Sequence, residues 1–293
     1  MTDLPDTPVL AIDGGGTRCR FALADGADCR IIEGGSANAS TDFDNAVRCL
    51  REGIQTLADR AGVGLDRLYQ LPAFVGLAGL TGEVLSAQMA AALPLQNARY
   101  ADDRLAALRG ALGRRDGLLA HCGTGSFFAA QFAGRQRLAG GWGSVLGDEA
   151  SAQWIGRKAL NTLLQQVDGF IEATPLTNDL LTQFHDSAAV VEFSRRASPA
   201  AFGALAPQVS AYAERGDLAA IKIMQSGADH IASDLRRLGW QPGLTVCLTG
   251  GIGPQYASYL PDDMAPDLIE PLGQPLDGAI ALAQEKETTD GNC

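Results

Sequence analysis

The stretch VLAIDGGGT, residues 9–17, decides the fold of this 293-residue chain. A short apolar run leads into Asp13-Gly14-Gly15-Gly16-Thr17, and a second apolar run follows at residues 20–24. This pattern predicts a strand, a glycine turn and a second strand. Glycines permit positive φ and a close approach of the backbone to a ligand, and the N–H groups of such a turn suit phosphate oxygens. The turn is therefore a candidate phosphate site, with a plain hairpin turn as the alternative.

The same order of elements occurs twice along the chain. The first strand pair is followed by a third strand and by alternating helices and strands, and a second apolar run at 117–121 restarts the order. We therefore predict two α/β domains, residues 1–114 and 115–293, the second with a helical insertion. The last helix, 276–285, is a candidate to pack back on the first domain. Two such domains in close succession favour a ligand-binding cleft between them.

Composition excludes several classes of protein. The formal net charge is -11 without any run of Lys or Arg, which disfavours nucleic-acid and membrane-surface binding. No apolar stretch approaches the length of about 20 residues that spans a bilayer, and the first residues lack the features of a signal peptide. Six scattered cysteines without a C-x-x-C pair predict reduced thiols. We therefore expect a cytoplasmic protein, and a homodimer is compatible with the sequence.

Two further glycine turns follow buried strands in the second half. Gly123-Thr124-Gly125-Ser126 occupies the place equivalent to the first turn, so it predicts a second phosphate clamp. Thr249-Gly250-Gly251-Ile252-Gly253 could let an adenine and its ribose pass close to the backbone. The chain contains neither a Walker A motif nor a G-x-G-x-x-G that opens a helix, so P-loop and Rossmann sites are excluded.

Carboxylates between these turns are candidates for catalysis and for ligand binding. Phosphoryl transfer to a hydroxyl needs a carboxylate that orients the hydroxyl and accepts its proton, and Asp102 or Asp103 suits that role. Either could instead cap the helix that follows. Asp13 could hold Mg²⁺ through water. Trp142, between glycines, could cover the apolar face of a sugar, and Asp148 could accept hydrogen bonds from its hydroxyls, although helix capping is again the alternative.

Together these motifs resemble the actin-like ATPase superfamily, and within it the N-acetylglucosamine kinase and BadF/BadG/BcrA/BcrD ATPase group. The resemblance extends from residue 12 to about residue 283. It rests on the combination of D-G-G-G-T at 13–17, S-A-N at 36–38, G-T-G-S at 123–126, G-G-W-G-x-x-x-G-D-E-x-S at 140–151 and T-G-G at 249–251. The resemblance implies two ribonuclease H-like domains with an inter-domain cleft, and the use of ATP with Mg²⁺.

The resemblance also implies roles for single residues. Thr17 and Thr124 match contacts to nucleotide phosphates. Sugar contacts are matched by Asn38, Gly141, Trp142 and Asp148. Asp103 matches the catalytic aspartate that precedes an alanine-rich helix start. The family usually has Asn or Thr immediately before that aspartate, whereas Asp102 stands there in this chain.

The resemblance implies transfer of the ATP γ-phosphate to the 6-hydroxyl of a hexosamine. The Trp-Gly…Gly-Asp-Glu spelling favours N-acetylglucosamine as the substrate, with glucosamine as the alternative. Two other classes stay open. An ATPase that activates a dehydratase would need a cysteine-held iron–sulfur cluster, for which no cysteine pair is placed. A non-catalytic sugar sensor would need a DNA-binding segment, which the acidic charge disfavours.

Overall fold

The chain forms two compact units in a computed structural model that describes residues 7–16 and 18–285. The first unit contains the described residues up to Arg114 together with those from Leu272 onward. The second unit contains Arg115–Pro271. Each unit contains one five-stranded mixed sheet and its own helices.

The sheet of the first unit has the strand order β3-β2-β1-β4-β5. Its strands are β1 (Val9–Gly14), β2 (Cys19–Asp25), β3 (Asp28–Gly34), β4 (Pro72–Leu77) and β5 (Asn97–Asp102). The first three strands are antiparallel, and β4 and β5 run parallel to β1. Gly14 is opposite Leu77, and Leu77 is opposite Asp102. The three parallel strands therefore end at one edge of the sheet, where α/β proteins commonly bind ligands.

Helices cover both faces of this sheet. They are α1 (Phe43–Ala61), α2 (Leu65–Gln70), α3 (Glu83–Ala92), α4 (Asp103–Leu112) and α11 (Pro275–Gln284). Helix α1 begins after Asp42, whose side chain accepts a hydrogen bond from the N–H of Asn45, and it ends at the left-handed Gly62. Helices α4 and α11 pack closely. Gly278 lies so near the carbonyl of Ala106 that a Cβ at this position would overlap it.

The second sheet repeats the arrangement of the first, with the order β8-β7-β6-β9-β10. Its strands are β6 (Gly117–Cys122), β7 (Ser126–Phe132), β8 (Arg135–Gly140), β9 (Val246–Thr249) and β10 (Leu268–Ile269). Strand β9 pairs in parallel with β6 and with β10. The antiparallel half and the parallel half thus occupy equivalent places in the two units.

Six helices and two 3₁₀ helices complete the described part of the second unit. The helices are α5 (Ala152–Val167), α6 (Pro175–Phe184), α7 (Ser187–Arg196), α8 (Pro199–Gly203), α9 (Ala206–Glu214) and α10 (Leu218–Leu238). The 3₁₀ helices are Gly253–Tyr259 and Ala265–Asp267. Buried residues of α5, α9 and α10 form one core with β6 and β9. No helix in the described ranges is long and apolar enough to cross a membrane.

The α/β fold class is confirmed, and the order of elements along the chain repeats with local differences. The sequence of residues 149–167 predicts a long helix, but α5 begins only at Ala152, because Ser151 caps it by accepting a hydrogen bond from the N–H of Trp154. The short helix α2 and the 3₁₀ helix after the third glycine turn were not predicted. Both lack the long apolar period that identifies a helix in a sequence.

Candidate functional site

The first glycine turn is held by backbone hydrogen bonds at the edge where β1, β4 and β5 end. The carbonyl of Gly14 accepts from the N–H of Ala78 at 2.7 Å, and the N–H of Gly15 donates to Arg18 at 3.0 Å. Gly14, Gly15 and Gly16 do not adopt the positive φ that glycine permits. Gly14 instead has little space around it, because a Cβ there would lie 2.6 Å from Cδ1 of the buried Leu77 and 3.2 Å from the carbonyl oxygen of Gly76. Thr17 lies outside the described residues.

Asp13 and Asp103 bring two carboxyl groups to this edge of the first unit. Asp13 lies on β1, and burial raises its pKa although Arg20 and Arg18 lower it. Asp103 is the first residue of α4. Its pKa is raised to about 8 by burial, by the charges of Asp102 and Asp13 and by a hydrogen bond with Asp102, while Arg104 lowers it. The carboxylate of Asp13 is thus close enough to oppose the ionisation of Asp103.

The adjacent Asp102 has a different environment. Its Oδ1 accepts a hydrogen bond from the backbone N–H of Arg104 at 3.0 Å, so that Asp102 caps α4. The guanidinium of Arg104 also donates to Asp102 through Nε and Nη2, both at 2.7 Å. The negative charge of Asp102 is therefore matched by a cation and used in a helix cap. This arrangement leaves Asp103 as the better candidate for proton transfer.

Asn38 lies beside the same edge of the first unit. Its Oδ1 accepts hydrogen bonds from the N–H and hydroxyl of Ser40 at 3.0 and 2.8 Å. A Cβ at Gly79 would overlap this oxygen, and Gly79 has φ +73°. The N–H of Ala39 donates to Ala78, the same residue whose N–H donates to Gly14. The structure therefore places Asn38 near the first glycine turn.

The second glycine turn is attached to the start of α5 in the second unit. The N–H of Gly123 donates to the carbonyl of Gly125 at 2.8 Å. The carbonyl of Gly123 accepts from Ala152 at 2.9 Å, and that of Thr124 accepts from Gln153 at 3.4 Å. The hydroxyl of Ser126 donates to the carbonyl of Glu149 at 2.6 Å. Ser126 is therefore buried and committed to the backbone, whereas the Thr124 hydroxyl belongs to an exposed residue.

The third glycine turn lies directly against the second. Gly250 has φ +84°, and a Cβ there would overlap the carbonyl of Cys122. The N–H of Ile252 donates to the same carbonyl at 3.1 Å. Beneath the two turns, a hydrogen bond of 3.1 Å between Nδ1 of His121 and Oγ1 of Thr249 joins β6 to β9. Burial lowers the pKa of His121 to about 4, so its ring is neutral near pH 7 and serves packing.

The loop after β8 carries three of the expected sugar contacts, Gly141, Trp142 and Asp148. Gly140, Gly141 and Gly143 have φ between 72° and 84°, and Asp148 has φ 62°, a left-handed conformation that is uncommon outside glycine. Trp142 is 72% exposed. The tryptophan and Asp148 both line a cavity of about 280 Å³ in the second unit.

The carboxylate of Asp148 lies on the second glycine turn. Backbone N–H groups of Ser126 and Gly143 donate to it, and Nε2 of Gln153 donates to Oδ2 at 3.3 Å. Burial raises the pKa of Asp148 more than these hydrogen bonds lower it. A Cβ at Gly125 would lie 2.8 Å from Oδ2, so glycine is required for this approach. The structure thus joins a predicted phosphate turn to a predicted sugar contact.

The sequence of residues 10–262 matches the family model described as BadF/BadG/BcrA/BcrD ATPase. The chain belongs to this ATPase family. The match includes all three glycine turns, both adjacent aspartates and the loop after β8. It therefore confirms the family resemblance inferred from the motifs.

Known relatives of this member of the BadF/BadG/BcrA/BcrD ATPase family include curated kinases. The chain is 28% identical over 282 residues to glucosamine kinase GspK of Vibrio cholerae, covering 95% of this chain and 96% of the relative. It is 24% identical over 272 residues to the N-acetylmuramic acid/N-acetylglucosamine kinase of Clostridium acetobutylicum, covering 87% and 88%. A crystal structure of a Chromobacterium violaceum protein, proposed to be an N-acetylglucosamine kinase, has a TM-score of 0.82 and 29% identity, with 95% and 99% coverage.

Two residues of α5 in this family member were not predicted as part of the site. Gln153 donates to Asp148, and Arg157 donates through Nη1 to the carbonyl of Ser144 at 2.7 Å. Both therefore attach α5 to the loop after β8. Their signal in the sequence is slight: two polar residues share a helix face with Leu160 and Leu164 at helical spacing.

Proposed function

We propose that this chain is an ATP-dependent hexosamine kinase that phosphorylates the 6-hydroxyl of N-acetylglucosamine. The observation that carries the proposal is the buried carboxyl of Asp103, which lies at the edge formed by the first glycine turn and has a pKa raised to about 8. A carboxylate in such a place can orient a hydroxyl and accept its proton as the P–O bond forms.

The predicted enzyme class is confirmed at a coarse level. Both curated relatives are kinases, which are phosphotransferases with an alcohol group as acceptor. Membership in an ATPase family supports ATP as the phosphoryl donor. An iron–sulfur activator is disfavoured by the thiols, because four of the five cysteines within the described ranges are buried and only Cys29 is exposed.

We assign the glycine turns to the nucleotide. Gly14, Gly15, Gly16 and Thr17 in the first unit, and Gly123, Thr124, Gly125 and Ser126 in the second, are the proposed phosphate-binding residues. Backbone N–H groups and Thr hydroxyls supply the donors that phosphate oxygens need. Gly250 and Gly251 are assigned to the adenosine part, because their lack of side chains permits a flat group to pass close to the backbone.

Asp13 is the proposed holder of Mg²⁺, through water. Asp13 and Asp103 fit a divalent cation, because burial raises the pKa of both carboxyls and the charge of Asp13 raises that of Asp103 further in the ligand-free chain. A bound cation would favour their ionised forms. Mg²⁺ would supply charge neutralisation at the transferred phosphoryl group. Asp103 would then accept the proton of the sugar hydroxyl.

The sugar is assigned to Asn38, Gly141, Trp142, Asp148 and Asp103. Trp142 is exposed and flanked by left-handed glycines, so its ring is available to cover an apolar sugar face. The carboxylate of Asp148 is held in place by three donors and can accept hydrogen bonds from sugar hydroxyls. Glucosamine is the second candidate substrate, because the more similar of the two curated relatives is a glucosamine kinase.

An ADP-release screen tests the proposal. We expect ADP release with N-acetylglucosamine above that with glucosamine, N-acetylmannosamine, glucose or no sugar, and none with 6-deoxy-N-acetylglucosamine. The Asp103→Asn variant, purified in parallel, controls for a contaminating kinase. Greater activity with glucosamine would favour the second candidate, and ADP release that is independent of every sugar would contradict the kinase proposal.

A further inference from the structure

Two cysteine thiols lie side by side next to the first glycine turn. Cys19 is the first residue of β2, and Cys49 lies within α1, 30 residues further along the chain. Their sulfur atoms are 3.8 Å apart. A disulfide holds its sulfurs at about 2.05 Å, so a movement of under about 2 Å would join them. The proposed kinase reaction uses neither thiol.

The two thiols differ in their access to solvent. Cys19 is fully buried in the core of the first unit. Cys49 lines a cavity of about 400 Å³ whose other lining residues belong to β3, to α1 and to the segment that joins them. The wall of this cavity carries charged and amide side chains, those of Glu33, Asn45, Arg48 and Glu52. A small polar molecule can therefore enter the cavity from water.

Gly35 leaves the sulfur of Cys49 open toward this cavity. Sγ of Cys49 donates a hydrogen bond to the carbonyl of Gly35 at 3.3 Å, and Gly35 is exposed and lines the same cavity. A Cβ at Gly35 would lie 3.7 Å from this sulfur and, apart from its chain neighbours, within 4 Å of no other described atom. A group the size of a carbon or oxygen atom can therefore stand in van der Waals contact with Sγ of Cys49.

The sulfur of Cys19 contacts the first glycine turn. Burial raises the pKa of Cys19 most and Cys49 raises it further, whereas a hydrogen bond from the backbone of Gly15 lowers it. The same N–H of Gly15 donates to the carbonyl of Arg18 at 3.0 Å and so closes the turn. A movement of the Cys19 sulfur toward Cys49 would therefore remove a contact from the turn.

We propose that Cys19 and Cys49 are a site of oxidation by hydrogen peroxide, and that their disulfide weakens nucleotide binding at the first glycine turn. The thiolate of Cys49 attacks one peroxide oxygen, so that an S–O bond forms, the O–O bond breaks and the leaving hydroxide becomes water with the proton of Cys49. The sulfur of Cys19 then attacks the sulfenic sulfur. An S–S bond forms, the S–O bond breaks, and the oxygen leaves as a second water with the proton of Cys19. The two thiols lose two electrons in total, which reduce the peroxide to water.

The first experiment maps the product of oxidation. The full chain is treated with hydrogen peroxide, its remaining thiols are alkylated under denaturing conditions, and its peptides are weighed. We expect a peptide pair linked through Cys19 and Cys49 that dithiothreitol separates. Cys29→Ser, which removes an exposed thiol, should form the same pair. Oxidation of Cys49 to the sulfinic or sulfonic acid without the link, or oxidation confined to other cysteines, would overturn the inference.

The second experiment closes the approach to Cys49. Gly35→Ala places a methyl group in the open space beside the sulfur, at an ordinary contact distance of 3.7 Å. We expect it to slow formation of the disulfide at least about threefold, because access limits the reactivity of a thiol. Gly64→Ala adds a methyl group where no described atom lies within 4 Å, so it is the matched control and should oxidise at the rate of the parent. Equal rates in the two variants would contradict the assigned route, and melting temperatures verify that both variants fold.

The third experiment measures the Kd for ADP by calorimetry before and after oxidation. We expect the disulfide to raise Kd at least about fivefold and dithiothreitol to restore it, whereas Cys49→Ser should show no response to peroxide. This part of the inference rests on the proposed function, since it assigns the turn to the nucleotide. A mapped disulfide with unchanged Kd would overturn the control of binding alone. Failure of the reduced chain to bind ADP would instead overturn the proposed function, and the peptide map would still decide whether the thiols pair.

Discussion

The ionisation of Asp103 depends on its neighbours. Asp102 accepts three hydrogen bonds from Arg104, so its charge is compensated and its side chain is held against the helix. Asp103 instead has its pKa raised by burial and by two nearby carboxylates. A carboxyl group with a pKa near the working pH is well suited to accept and release a proton. This contrast between adjacent aspartates is the physical basis for assigning the base to Asp103.

Replacing Asp103 by Asn should separate catalysis from binding. We expect turnover to fall by a factor of about 10² to 10⁴, since the amide cannot accept the hydroxyl proton, while the calorimetric Kd for the sugar stays within a few-fold. Asp102→Asn is the matched variant. It should retain activity and lose up to about 1 kcal/mol of stability through the lost ion pair with Arg104, since Asn caps a helix about as well as Asp. Full activity in Asp103→Asn together with loss in Asp102→Asn would move the role to Asp102.

The conformation of the third glycine turn depends on one residue, Gly250. Gly250 combines a positive φ with direct contact to the Cys122 carbonyl, whereas Gly251 has open space around its Cα. We expect Gly250→Ala to lower the unfolding free energy by roughly 1–3 kcal/mol and to weaken ATP binding. Gly251→Ala should do neither by more than about 0.5 kcal/mol. Thermal melting and a nucleotide titration would measure this, and equal effects of the two substitutions would contradict it.

Local periodicity was sufficient to predict most strands and the helices with long apolar stripes. The apolar spacing of residues 43–61, for example, predicts a helix with the same bounds as α1, because its apolar period and its capping residue agree. The pairing of β6 with β9 could not be predicted, since more than a hundred residues separate the strands and no local pattern fixes their register. The approach of Asp148 to Gly125 has the same origin, because it depends on how α5 and its preceding loop pack.

Three carboxyl groups of the proposed site have raised pKa values, which affects the stability of the whole molecule. Burial raises the pKa of Asp13, Asp103 and Asp148. Each is therefore harder to ionise in the folded chain than in the unfolded chain, and ionising them opposes folding. In a chain of formal charge -11, the site thus reduces stability near neutral pH. Such a cost is common where function requires buried charge.

The pH dependence of stability tests whether ionisation of Asp103 destabilises the folded chain. Its pKa is about 8 in the folded chain against an ordinary 3.8, so the stability conferred by the protonated group is complete below about pH 4 and is lost as pH rises through 8. Asp103→Asn cannot ionise and should keep that stability.

We therefore expect the melting temperature of ligand-free Asp103→Asn to exceed that of the parent by an amount that is small near pH 4 and grows up to about pH 8. The gain should be about 2–4 °C for each kcal/mol that ionisation removes. Asp25→Asn makes the same substitution at an exposed position of β2, where burial cannot oppose ionisation, so its offset should not vary with pH in this way. A pH-independent offset for Asp103→Asn, or an equal rise in Asp25→Asn, would show that Asp103 ionises in the folded chain without cost.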